Sequence, residues 1–159
     1  MSMLKLISID VNSKYLLDIC ELIVRYGGIM FSYNVNPVSV FFDNLISKRS
    51  VCIAGLKNDD FLAFINIFNF QKMSQNMFSC YIYGASKRKS GKEIDIFMRY
   101  ILADLKKQGC VAVRFETREC NLPMRNMANR LGFQKIGILS KTAILKNKFI
   151  NSILYEKLL

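Results

Sequence analysis

Residues 94–105 leave this chain the least freedom. Ile94, Phe97, Met98, Ile101, Leu102 and Leu105 fall at the spacing of one apolar stripe on a helix. A β-rich run, Met77 to Tyr83, precedes the stripe, and a second, Val111 to Phe115, comes after it. A helix striped on one side and set between strands hides its stripe against a sheet. That requirement points to a layered α/β domain.

The rest of the chain reads in the same terms. Leu4 to Ile9 is a short strand. Asn12 or Ser13 can cap a helix over 13–26 carrying Leu16, Leu17, Cys20 and Ile23/Val24, and Gly27-Gly28 is expected to stop it. Pro37 enters a second helix over 37–47. Ser50 to Leu56 and Phe61 to Phe70 flank the polar turn Lys57-Asn58-Asp59-Asp60, an antiparallel hairpin pattern. The striped helix spans 92–107 and ends at Gly109. Asn121 can cap a further helix that has Pro123 in its first turn, buries Met124, Met127, Ala128 and Leu131, and stops at Gly132. Gln134 to Leu145 and Phe149 to Leu158 are the last strands. The expectation is one α/β domain over residues 1–159, a mixed central sheet of about seven strands flanked by about four helices.

Composition narrows the chemistry. The chain has no histidine, and its five cysteines (Cys20, Cys52, Cys80, Cys110 and Cys120) form no CxxC pair. Neither a zinc site nor a histidine-based triad can be built, so no metal is expected, and the odd, scattered thiols suggest no disulfide framework. Reduced thiols and a start without a charged-then-apolar leader point to the cytoplasm. The apolar run 61–70 is too short to cross a bilayer, so no membrane partner is expected. The net charge is +11 and is unevenly placed: residues 1–84 carry +1 and residues 85–159 carry +10. A basic half attracts a polyanion, whether nucleic acid, an anionic membrane or a phosphorylated cofactor. No aromatic-basic run or helix-turn-helix spacing favours nucleic acid.

Two segments could carry chemistry. Ser86-Lys87-Arg88-Lys89-Ser90-Gly91-Lys92 lies between a strand and a helix start. A helix start offers unpaired N–H groups and positive potential, and Gly91 would let a phosphate approach the backbone. The same loop could equally be a solvated basic cap. The second segment, Glu116-Thr117-Arg118-Glu119-Cys120-Asn121, joins a strand to a helix. Glu116 at a strand end could take a proton from an amine, or it could be a surface partner of Arg114, Arg118 or Arg125. Asn121 is by default a helix cap, and Cys120 a bystander thiol with no base to activate it.

Taken together, these segments resemble a family. Glu116-Thr-Arg-Glu-Cys-Asn121 and Leu131-Gly132-Phe133 are similar to the E-V-R-x-x-N … L-G-F signature of the GNAT acyl-coenzyme A transferases. Arg88-x-x-Gly91 matches the first half of that family's pyrophosphate loop. The tail, Gly137-Ile-Leu139 to Leu154-Tyr155, resembles the branch with ribosomal-protein N-terminal and amino-sugar acetyltransferases. The resemblance implies acetyl-coenzyme A as donor and a primary amine as acceptor, possible acceptors including a nucleotide-linked amino sugar or another small molecule. It implies that Glu116 is the base. Backbone near Tyr81, Ile82 and Tyr83 would bind pantetheine between two splayed parallel strands. Arg88, Lys89, Ser90, Gly91 and Lys92 would hold the pyrophosphate, with Asn121 near the cofactor. Phe31, Tyr33 and Phe41 would line the acceptor pocket; core packing is the competing reading. Three positions depart from the family pattern. Glu93 replaces a small residue in the loop, Ala128 replaces a tyrosine that protonates the leaving thiolate, and Asn151 stands where the branch often has aspartate. Those departures leave open a coenzyme A-binding or protein-interaction module with weakened catalysis.

Overall fold

A computed structural model describes residues 4–30, 36–87, 91–145 and 147–159. Within them the order is β1 (Leu4–Ile9), α1 (Leu16–Met30), α2 (Pro37–Ile46), β2 (Ser50–Lys57), β3 (Asp60–Ser74) and β4 (Met77–Ser86). Then come α3 (Gly91–Lys107), β5 (Cys110–Arg118), α4 (Leu122–Arg130), β6 (Gln134–Leu145) and β7 (Lys148–Leu158). The expected order of elements holds throughout. The described strands form one seven-stranded sheet in the order β1-β2-β3-β4-β5-β7-β6. All neighbours are antiparallel except β4 and β5.

Local chemistry explains the elements. Asn58 and Asp59 both take positive φ, 53° and 64°. Those are the dihedrals that let a two-residue turn match the twist of the β2–β3 hairpin. Asn36 caps α2 by accepting from the backbone N–H of Val38 at 3.1 Å and Ser39 at 3.3 Å. α1 departs from expectation at both ends. Asn12 N–H donates to Asp10 Oδ1 at 2.9 Å, while Ser13 accepts at its Oγ from Tyr15 N–H at 3.4 Å and at its carbonyl from Leu16 N–H at 3.1 Å, closing a turn before the helix proper. The helix therefore begins at Leu16, and it continues through Gly27-Gly28 to Met30. Glycine costs a helix about 1 kcal/mol relative to alanine but does not block it sterically.

Two cores lie on opposite faces of the sheet. α3 and α4 cover Ile65, Ile67, Cys80, Ile82, Val113, Phe115, Ile153 and Tyr155. α1 and α2 cover Ile9, Cys52, Ala54, Leu56 and Phe64. The predicted stripe buries Phe97, Met98, Ile101, Leu102 and Leu105. At about 1.5–3 kcal/mol each, these side chains outweigh the surface ion pairs of α3 and fix where it sits. Among the described residues no helix is long and apolar enough to cross a membrane.

Candidate active site

The parallel register between β4 and β5 is short. It runs from Phe78 opposite Cys110 to Tyr81 opposite Arg114. Beyond it β4 continues to Ser86 along β3, and β5 continues to Arg118 along β7. The two strands part, and the backbone groups facing the gap after Tyr81 leave the ladder. Such groups can take an extended ligand as an added strand. Gly84 marks the place on β4. A Cβ there would lie 2.2 Å from the Phe64 carbonyl oxygen, so the close approach to β3 excludes any side chain.

Tyr81, Ile82 and Tyr83 line the β4 side of the gap. Ile82 is buried toward α3. Tyr83 packs edge-on against Phe64 and Phe68, and its hydroxyl lies beside the Asn66 amide. Burial, together with the nearby Cys52 thiol, pushes its phenol well above the usual range and keeps it neutral. Tyr81 is half-buried under the Arg114 guanidinium, 5.9 Å from its ring. Arg114 is itself held by Glu156 at 2.7 Å.

At the same end of the sheet, α3 begins at Gly91, with the exposed Lys92 next in the chain. Arg88, Lys89 and Ser90 lie outside the described residues. The structure adds Arg130, which sequence reading missed. This residue closes α4, and its Nη2 would be 3.3 Å from a Cβ on Gly91. Asp95 holds the guanidinium at 2.6 and 2.9 Å. The only sequence signal was a basic residue at the end of the last helix. Glu93, in the first turn of α3, pairs with Lys57 on β2.

Glu116 stands two residues past Arg114, where β5 last pairs with β4, and its side chain is 42% exposed. Its Oε1 accepts from Arg118 Nη1 at 3.1 Å. The ion pair that competed with a catalytic role is thus present, but its partner is buried, the Arg118 side chain being 5% exposed. Glu119 is otherwise engaged. Its two carboxylate oxygens accept from the backbone N–H and the Nδ2 of Asn151, at 3.2 and 3.3 Å. An aspartate at 151 would lose the second bond and face a like charge. Asn121 caps α4, its Oδ1 accepting from Met124 N–H at 3.4 Å. Cys120 is an exposed free thiol.

The expected acceptor pocket is corrected at Phe41. This side chain is 0% exposed and packs edge-on against Phe42 and Phe64. It is a core residue with no face for an acceptor. Phe31 and Tyr33 lie outside the described residues. Ala128 is fully buried and carries no proton to give. Among the described residues no group of three or more potential ligands could hold a metal. What the arrangement offers is a place where β4 and β5 cease to pair, an anion-friendly helix start and a part-exposed carboxylate two residues beyond the last residue of β5 paired with β4.

No family model matches the chain, and no curated protein matches it in sequence. Solved structures do match. The ribosomal-protein-S18-alanine N-acetyltransferase of Escherichia coli aligns with 98% of this chain and 94% of its own, at TM-score 0.75 and 14% identity. Arabidopsis thaliana NAA60 in complex with acetyl-CoA aligns over 99% of both chains at TM-score 0.73 and 14% identity. An acetyltransferase of the GNAT family from Streptococcus pneumoniae gives TM-score 0.69 and 13% identity, over 99% of this chain and 100% of that one. At such identities the likeness shows the fold. The chain has the GNAT fold from end to end.

Proposed function

We propose that the chain is an N-acetyltransferase that moves the acetyl group of acetyl-CoA to a primary amine. One observation carries the reading. The β4–β5 pairing stops at Tyr81 and Arg114, and a carboxylate, Glu116, stands just beyond on the same strand as Arg114. The donor fits the residues present. The β4 backbone from Ile82 onward, past the end of its pairing with β5, suits pantetheine, while Gly91, Lys92 and Arg130 suit the pyrophosphate, with Arg88, Lys89 and Ser90 just before them in the sequence. When bound, acetyl-CoA supplies the activated acyl group. Glu116 takes the proton that the acceptor ammonium must lose for its nitrogen to attack as an amine, directly or through a water. Asn121 holds the start of α4 beside the donor. Coenzyme A is a thiol of pKa near ~8.5 by analogy with cysteine, and its thiolate leaves tolerably without an acid. An alanine at 128 is therefore compatible with turnover.

The acceptor carried forward from the sequence is a small amine, with a nucleotide-linked amino sugar first. The names of neighbours such as the S18-alanine enzyme support a second reading, a protein N-terminus with alanine in front. A thiol-release assay with acetyl-CoA and both probes separates them. Turnover of the sugar and not the peptide supports the first, and the reverse supports the second. If acetyl-CoA raises Tm, as a ligand of the folded state must, yet no amine is turned over, the chain is a coenzyme A-binding module instead.

A further inference from the structure

We infer that Arg118 is a positioning residue for Glu116, and that the β6–β7 hairpin thereby sets the aim of the base; this rests on the acetyl-transfer reading. The guanidinium of Arg118 is buried against strands other than its own. Its Nη1 reaches Thr142 Oγ1 on β6 at 3.0 Å and also Ser152 Oγ on β7. Those two hydroxyls are 2.6 Å from each other, so the seat is itself tied across the hairpin. Ser152 lies opposite Arg118, and Leu154 opposite Glu116, in the β5–β7 register. From that seat Nη1 also meets Glu116 Oε1 at 3.1 Å.

The consequence is directional. One carboxylate oxygen is fixed by a buried cation, and among the described residues no partner bonds the other, Oε2. A carboxylate held by one oxygen keeps its second available for a proton from outside. It also keeps its rotamer when a cationic amine arrives, as preorganised catalysis requires. Two residues lie between Glu116 and Glu119, yet Glu119 has both oxygens taken by Asn151. Placement thus separates a free-oxygen carboxylate from a structural one.

A double-mutant cycle tests this with whichever amine probe turns over. Arg118→Lys keeps the charge but lacks the planar fork. Thr142→Val removes one side of the seat and is the milder change if Arg118→Lys unfolds. We expect kcat/KM for the amine to fall about tenfold in Arg118→Lys and about threefold in Thr142→Val, with KM for acetyl-CoA unchanged. In a Glu116→Gln background neither change should cost anything further. Equal losses in both backgrounds would make Arg118 a structural residue and overturn the inference while leaving the base in place. A second readout does not need turnover: the Glu116 side-chain carboxyl carbon resonance should move in both variants. No movement overturns the inference. Movement without turnover of any amine keeps the pairing and overturns acetyl transfer.

Discussion

Single side chains divide the two acidic positions of the 116–121 segment. Glu116 is part-exposed with one oxygen held by Arg118, and Glu119 is closed on Asn151. Glu116→Gln keeps the shape and removes the charge. The expected outcome is a loss of at least about tenfold in kcat/KM for the amine, the low side of a general-base contribution, with acetyl-CoA affinity unchanged. Wild-type rates in that variant would move the base elsewhere. Asn151→Asp should destabilise the fold by about 1–3 kcal/mol in a urea melt, because it breaks a bond to Glu119 and sets two carboxylates together. Glu119→Gln in the same chain should recover most of that loss; no recovery would mean the Glu119–Asn151 contact is not what holds the turn. At the helix start, Gly91→Val would press on Arg130, and Arg130→Ala would remove the cation. Both should weaken coenzyme A far more than a dephosphorylated pantetheine fragment, as measured by calorimetry. Equal weakening would take the phosphate away from this corner.

Elements were legible in the sequence wherever a period or a cap dictated them. The α3 stripe, the Asn58-Asp59 turn and the Asn121 cap all sit as their chemistry requires. Two glycines in a row did not mark the end of α1, because packing decides a helix end as much as propensity does. Burial of Phe41 was not legible either: its period fits a core face and a pocket wall equally well. The Glu93–Lys57, Arg130–Asp95 and Arg118–Ser152 contacts join residues distant in sequence, and no spacing rule reports them. The close approach of Gly84 on β4 to the Phe64 carbonyl on β3 is likewise a packing feature that no spacing rule reports. Gly84→Ala should cost about 1–3 kcal/mol or more, as overpacking does, and should disturb acetyl-CoA binding by shifting β4. An unchanged Tm would show that β3 yields easily and that Gly84 does not shape the gap.

At the scale of the molecule, among the described residues, four strands precede α3 and three come after it, and the short register from Phe78 to Tyr81 ties the two sets edge to edge. The charge divides at nearly the same place, +1 before residue 85 and +10 after it. A polyanionic donor lying along the gap would sit beside the basic set and touch both. The β1–β4 set closes mainly through neighbouring strands, β2–β3 and β3–β4 being consecutive hairpins, while β5 must wait for β7 and for α3 to bring it back to β4. Distant closure costs more chain entropy than closing a hairpin, so it follows the hairpins. The joint beside the candidate site should therefore be made late, after the rate-limiting barrier. Val113→Ala, beneath that joint, should speed unfolding while hardly slowing refolding in stopped-flow experiments, and a refolding rate that falls in step with stability would place the joint in the nucleus instead.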